Sequence, residues 1–590
     1  MTLKTQTLGS YLSDFITFLF IQFYFFSIAF SNPDPLHDGI QFVSGAAVAQ
    51  GKIPHRDFFE QYGPFNAFFH GMAISLFGKD LYVLRIQTLL VLALTSLSLF
   101  YILRINRVKF HFRVLLLTLW ALSCPVTSLS SNIYGLLPWP SLFTQFMTLL
   151  LICIFLTISQ NTKLAISKYL PILIGFIVFL VIFTRFQVGI LLMLVVSYII
   201  QHLNISKDVR KRLHRKYLYS LQAYILATIF IGFLTKSLVP FYDQIIVGPF
   251  GTYVTGMNWS LFVGYLRTGL PLGLLILGML YLKNAKINGR AKVLIYSTVL
   301  FFGGLLQFLE TENNSLIALK LPSKLTNYFI GQQINFMSLC YLYGILTLFC
   351  FGLEWLNLDK RIAYMFLKEE VGSRKNSLFS IKEKFRRDSR KLSGIGIITL
   401  ATIPGLALLY PLPSIYHFWW SFGVSILPLG IWMSAKSTNH WERIGASLIL
   451  APTLIALLFF WNHSLQRDWV DLNFGVFKHM KVDPIYYESY LEMDKFLSKS
   501  PQEEINSICF EALFISWNGK YNSSDPKDVS WAFGTDRSTP PTIPSRRILC
   551  SDDVFAQDFA AKNKVRIIDE LEYSLSWWSK GKMFEYVPEK

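Results

Sequence analysis

Apolar runs of about 17 to 23 residues recur through the first 460 positions, each long enough to cross a hydrocarbon layer of about 30 Å as a helix. About thirteen can be marked: 11–30, 81–103, 113–130, 141–158, 169–184, 187–202, 217–238, 261–282, 293–309, 334–356, 393–411, 416–434 and 443–461. A chain built this way has to place much of its surface in lipid. Its composition agrees, with 53% hydrophobic and only 16% charged residues in 590, where a soluble domain carries about a quarter charged. Disordered, fibrous and coiled-coil classes are excluded. The predicted fold class is an all-α polytopic membrane protein, residues 1–461, with a small α/β domain appended at 462–590.

The formal net charge of +18 would suggest nucleic acid if the basic residues formed one soluble face. Instead, about 30 of the 55 Lys and Arg sit in short loops that alternate with loops nearly free of them, the positive-inside pattern. No nucleic-acid partner is expected. A cytoplasmic N-terminus puts the groups around Arg104 to Arg113, Lys207 to Lys216, Lys283 to Lys292 and Lys360 to Lys391 on one side. Loops 131–140 and 239–260 then face outward with no Lys or Arg, and an odd number of spans leaves the tail outside. The expected location is the cytoplasmic (plasma) membrane. The first run is too long for a signal-peptide core and lacks a small-residue cleavage site, so it reads as a retained helix.

From about Asn462 the chain becomes charged and mixed in periodicity, with a helix-like stretch at 487–497 and strand-like runs at 505–515 and 546–550. Cys124, Cys153, Cys340 and Cys350 fall in spans, and Cys509 and Cys550 in the tail. The last two are either a disulfide or two free thiols, and none of the six has metal-ligand spacing. The motifs GxxxxGK[ST], HExxH and GxSxG are absent, as is a CxxC pair, so nothing suggests ATP hydrolysis, zinc or serine chemistry.

The segment joining the first two spans is too organised for a spacer. It holds the acids Asp34, Asp38, Asp57 and Glu60 close to the membrane, followed by FNAFFHGMAISLF, which is too short to span and suited to the interface. Carboxylates at that boundary suit a lipid-linked substrate. The stretches "HDG", "GKIPHRDFFEQYGPFNAFF" and "LFGKDLYVLR", with "FTRFQVG" between the fifth and sixth spans and "YPLPSIYHFWW" at the twelfth, resemble the GT-C superfamily of polytopic glycosyltransferases. This class includes protein mannosyltransferases and aminoarabinose transferases. The likeness covers about the first 200 residues well and the rest mainly by topology; Ser414 stands where members often carry Asp before the late His, here His417.

The resemblance implies an inverting transfer of a sugar from a polyprenyl-phosphate donor to a hydroxyl of a glycan, lipid or protein acceptor at the outer face. Such a reaction needs a carboxylate to take the hydroxyl proton, cationic groups for the departing phosphate, and a groove for the lipid. Asp38, next to Gly39, is the first candidate for the base and Asp34 the second; the other reading of Asp38 is a helix cap. Asp57 and Glu60 are candidates for orienting the acceptor or joining a divalent cation site, Mg or Mn. Arg56, Arg85 and Arg185 are candidates for the phosphate, Arg185 because it interrupts two apolar runs beside Gln187; the alternative for Arg85 and Arg185 is snorkelling to headgroups. Loops 239–260 and 310–333 fit a sugar site or an ordinary aromatic belt. The competing class is a transporter or flippase of lipid-linked sugars, for which internal repeats and interrupted helices with polar residues near mid-membrane are expected; here the acids cluster in external loops and the spans read as lacking charge pairs.

Overall fold

The computed structural model describes residues 8–247 and 465–588, with breaks inside both stretches, the longest at 124–135 and 519–545. Four helices among these are long and apolar enough to cross a membrane: α1 (Leu8–Ala29), α4 (Leu81–Ile105), α6 (Pro140–Gln160) and α9 (Lys207–Leu234). Shorter apolar helices are α5 (Phe110–Ser123), α7 (Leu170–Ile182) and α8 (Phe186–His202). These fall on the expected spans up to 238. The spans expected between 261 and 461, and with them the count of thirteen, lie outside the described residues.

The helices pack through side chains that are apolar on their inner faces, with Trp120 of α5 fully buried and edge-on to Phe25 of α1 at 5.5 Å. One feature corrects the reading that the spans lack charge pairs. Asp14 of α1 accepts hydrogen bonds from Arg113 Nη2 of α5 at 2.7 and 2.9 Å and from its Nε at 3.2 Å. Arg104 of α4 approaches the same carboxylate at 3.5 Å and lies 3.4 Å above the Tyr11 ring. The partners are 90 to 99 positions apart, so a reading of one span at a time meets only a lone acid. Only the bundle assembles the pair.

Between α1 and α4 the chain folds into α2 (His37–Ala49) and α3 (Pro64–Phe77). Small and apolar residues let α2 be buried from His37 to Ala47, with α3 on one side and the tail on the other. Gly51, at φ 81°, ends this turn in the left-handed region. α3 is two-faced: Ala67, His70, Gly71 and Ile74 are buried, while Phe68, Met72, Leu76 and Phe77 are exposed. That face suits an interface with lipid, as the short apolar run predicts.

The tail begins with the antiparallel pair β1 (Val470–Leu472) and β2 (Met480–Val482), followed by α11 (Pro484–Ser498), which among the described residues is the next helix after α10 (Leu238–Tyr242) and the turn Asp243–Val247. β3 (Ile505–Ile508), β4 (Arg546–Ser551), β5 (Val565–Ser574) and β6 (Lys580–Pro588) form a four-stranded sheet in the order β3-β4-β6-β5. β3 runs parallel to β4 and the other pairs are antiparallel. The strand expected over 505–515 stops at Ile508, and Ala512–Ser516 form a 3₁₀ turn instead. Leu513 and Phe514 there are fully buried, and a short buried apolar run carries no periodicity to tell strand from helix.

The tail and the 31–80 segment share one core, in which Ile40, Phe42 and Val43 of α2 join Phe477, Tyr490, Met493, Phe514 and Trp517. Backbone pairing locks the joint: Asn32 N–H donates to Lys481 O and Lys481 N–H to Phe30 O, each at 2.7 Å, and Leu513 N–H to Pro35 O at 3.2 Å. Trp517 is a core residue whose Nε1 donates to Asp494 at 2.8 Å. Trp531 and Cys509, and so any bridge to Cys550, lie outside the described residues.

Candidate active site at the first connecting segment

Asp34 starts the site. Its Oδ1 accepts the His37 N–H at 3.1 Å and its Oδ2 meets His37 Nδ1 at 2.7 Å, so the cap of α2 is Asp34 rather than Asp38. Asp38, in the first turn of α2, is fully buried. Its Oδ2 accepts the Asp34 N–H at 2.8 Å and a charge-assisted bond from Arg85 Nη2, while Oδ1 has no hydrogen-bond partner among the described residues. Burial raises the Asp38 carboxyl above its ordinary range, against the lowering pull of Arg85 and of the Asp34 N–H. A buried, oriented carboxylate with one open oxygen is suited to accepting a proton.

Arg85, the fifth residue of α4, is completely buried, and its Nη1 donates to Ala29 O at 3.1 Å. Snorkelling is thus overturned for Arg85, and its guanidinium faces Asp38 rather than an open phosphate site. The physical reason is the apolar setting: a buried acid draws the nearest cation inward. Gly39 lies tight against the tail, since a Cβ there would stand 2.6 Å from Leu513 N. The close approach that glycine permits belongs to this chain's own backbone.

The stretch 53–63 forms the second half of the site. Asp57 closes a tight turn, its Oδ2 accepting the Ile53 N–H at 2.8 Å and its N–H donating to Ile53 O at 2.9 Å. Arg56 grips the same carboxylate at 2.7 Å through Nε and Nη2, and this holds the Asp57 carboxyl below its ordinary range. Both sequence candidates are therefore engaged with each other at the surface. The turn places His55 at φ 67° with its ring buried. Gln244, in the helical turn Asp243–Val247 after α10, meets His55 Nδ1 at 2.8 Å, accepts the Glu60 N–H at 3.1 Å and donates to His55 O at 3.1 Å. Burial pushes His55 down to about 4.

Glu60 is fully enclosed, and its Oε1 accepts the Tyr62 N–H at 3.0 Å. Burial pushes its carboxyl up to about 7, with the Ser44 hydroxyl and the Tyr62 N–H opposing. Beyond it, Gly63 N–H donates to Thr184 O and Phe65 N–H to Phe183 O, each at 3.1 Å. These bonds tie the "YGPF" stretch to the "FTRF" turn between α7 and α8. A Cβ on Gly63 would stand 1.9 Å from Phe183 O, so no other residue fits there.

Arg185 stands at the N-terminal end of α8 without a side-chain capping bond, is buried, and lies 5.0 Å above the Tyr62 ring. Trp139 bridges the two halves, 5.4 Å from the His37 ring and 5.6 Å from Tyr62. The fold thus brings Asp34, Asp38 and Arg85 together, and places Glu60 and Arg185 beside Tyr62. His417 lies outside the described residues, as does the Gln187 side chain. Among the described residues no group of three or more His, Cys, Asp or Glu is placed to hold a metal ion. Sequence reasoning missed His55, Tyr62, Trp139, Gln244 and Tyr490. Only His55 and Tyr62 had a signal, their place in the "GKIPHRDFFEQYGPFNAFF" stretch.

No family model and no curated protein matches the chain. Among solved structures it is similar to ArnT from Cupriavidus metallidurans bound to undecaprenyl phosphate, at 11% identity and a TM-score of 0.41, covering 98% of each chain. It is also similar to the Archaeoglobus fulgidus oligosaccharyltransferase in the apo form, at 11% identity and a TM-score of 0.44, covering 94% of this chain and 69% of that one. A third similar structure is the oligosaccharyltransferase AglB of the same organism in complex with an inhibitory peptide and a dolichol-phosphate. There the identity is 11% and the TM-score 0.40, and the chain spans 64% of its length. With every TM-score below 0.5, none of these carries the functional reading, which rests on the residues above.

Proposed function

We propose that the chain is a membrane glycosyltransferase, moving a sugar from a polyprenyl-phosphate donor to an envelope acceptor hydroxyl at the outer face of the plasma membrane. The observation that carries the reading is Asp38: a buried carboxylate fixed by Arg85 and the Asp34 N–H, with Oδ1 unpartnered among the described residues. Asp38 Oδ1 takes the acceptor proton while the hydroxyl oxygen attacks the anomeric carbon. The bond from that carbon to the phosphate oxygen breaks, its electron pair leaves with polyprenyl phosphate, and the configuration inverts.

Arg185, buried beside Tyr62, is the cation for the departing phosphate. An open groove of about 640 Å³ between α4, α6 and α7, lined by Leu94, Tyr101, Phe146, Cys153 and Leu173, suits the donor's lipid chain. Asp34 orients Asp38 through its N–H. A transporter of lipid-linked sugars is the second reading, favoured by one observation, the Asp14–Arg113 pair inside the bundle.

Mass spectrometry of envelope glycans and polyprenyl-phosphate sugars tests both, in cells lacking the gene and complemented with wild type or Asp38→Asn at matched abundance. The enzyme reading expects Asp38→Asn cells to miss one sugar and accumulate its lipid donor. Full rescue by Asp38→Asn overturns Asp38 as the base and favours the transporter.

A further inference from the structure

One peptide group connects the tail to Asp38. The Pro33 carbonyl accepts a hydrogen bond from Tyr490 Oη at 2.8 Å, and the N–H on the other side of that peptide bond, belonging to Asp34, donates to Asp38 Oδ2 at 2.8 Å. Tyr490 lies on α11, 457 positions from Pro33, and is fully buried. Phe477 packs edge-on to its ring at 5.1 Å and Trp517 stacks at 6.2 Å, so the hydroxyl is delivered to the carbonyl by a ring fixed in the shared core. Burial and the nearby Asp34 and Asp38 carboxylates push the hydroxyl well above its ordinary range. It keeps its proton and remains a donor.

We propose that Tyr490 is a positioning residue for Asp38, acting through the Pro33–Asp34 peptide. Donation to the carbonyl polarises the peptide and strengthens the N–H bond on its far side, as in other hydrogen-bond chains. Oδ2 is thereby held and Oδ1 is left as the reactive edge. Among the described residues, the charged and titratable groups facing Asp38 are Arg85 from α4, Asp34 from the turn before α2, and Tyr490 from α11. The proposal rests on the reading of Asp38 as the base.

The test is infrared spectroscopy of the full-length protein in lipid nanodiscs. The Asp38 carboxylate band is the one that Asp38→Asn removes, and it is followed as pH falls. In Tyr490→Phe, which keeps the ring and its packing, the band is expected to disappear at a pH higher by roughly half a unit, because a weaker bond to the charged form favours protonation. Replacing Tyr490 by a fluorotyrosine, a stronger donor, is expected to move it the opposite way. Tyr573→Phe removes a hydroxyl from another buried tail ring, one packed on Phe514 at 5.7 Å, and is expected to leave the band in place. A band unmoved in both Tyr490 proteins, or moved as far in Tyr573→Phe, overturns the relay. If Asp38→Asn retains transfer, the base assignment fails instead; if transfer is lost and the band stays put, the relay alone fails.

Discussion

Glu60 enters the fold as a carboxyl that ordinarily ionises near 4.5 and does so near 7 once enclosed. Between those values the unfolded chain gives up its proton and the folded one keeps it. Stability associated with this group is therefore whole below about 4.5 and falls as pH rises through 7, by about 3 kcal/mol in all. Glu60→Gln is expected to raise the thermal unfolding temperature at pH 8 and leave it unchanged at pH 4.5, measured on the purified protein in detergent; an equal effect at both would refute it. His55 has the opposite sign. Its ordinary value of 6.5 falls to about 4 in the fold, so stability drops as pH falls through that window, and His55→Gln should flatten the acid side of the profile. Asp34, Asp38, Glu60 and Arg185 were legible in the sequence because a charge among apolar residues stands out. Tyr490, Gln244 and Trp139 were not, because neutral side chains far along the chain carry no local signal, and Gln244 reaches His55 from 189 positions away. Arg85 was visible as a charge, but its burial depends on Asp38, 47 positions earlier.

Among the elements, helix ends decide more than helix interiors. The Gly63–Phe65 turn is bonded to the Phe183–Thr184 turn, joining α3 to the α7–α8 hairpin, and Gly63 has no room for a side chain. Gly63→Ala is expected to destabilise by about 1–3 kcal/mol or more, since the clash is with backbone rather than a movable side chain. Transfer activity should fall with it, because Tyr62 and Arg185 sit on the two turns being forced apart. At another end of the bundle, Asp14 ties α1 to α5 and α4. Asp14→Ala leaves buried Arg113 without its carboxylate and should cost about 3–5 kcal/mol, Arg113→Ala should cost less because Arg104 still faces Asp14 at 3.5 Å, and the double change to apolar residues should cost less than the sum. A double-mutant cycle of unfolding in detergent measures the difference, and simple additivity would exclude the pair as a lock. The helices themselves were legible from their apolar length. The lock and the turn-to-turn contact were not, because each needs two elements already packed.

At the scale of the whole molecule, the tail closes the core that the 31–80 segment opens. α2 is buried on both sides, and without the tail Ile40, Phe42, Val43 and Phe58 would lose the Tyr490, Phe514 and Trp517 side of their packing. The tail's presence was legible as a change of composition near residue 462. Its docking was not, since the contacts from Asn32 to Lys481 and from Pro33 to Tyr490 join the two ends of a 590-residue chain. A direct consequence concerns Gly39, whose Cβ would lie 2.6 Å from Leu513 N. In Gly39→Ala the Leu513 backbone has to move away, at a cost of about 1–3 kcal/mol. The shift loosens the Leu513–Pro35 bond and the cover over Asp38 together. Limited proteolysis should then cleave between the tail and the helix bundle faster in Gly39→Ala than in wild type, while Ala46→Gly, on the same helix, should not reproduce that cleavage. If the tail stays resistant in Gly39→Ala, the joint between tail and segment is not tight at Gly39, and its glycine has some other reason.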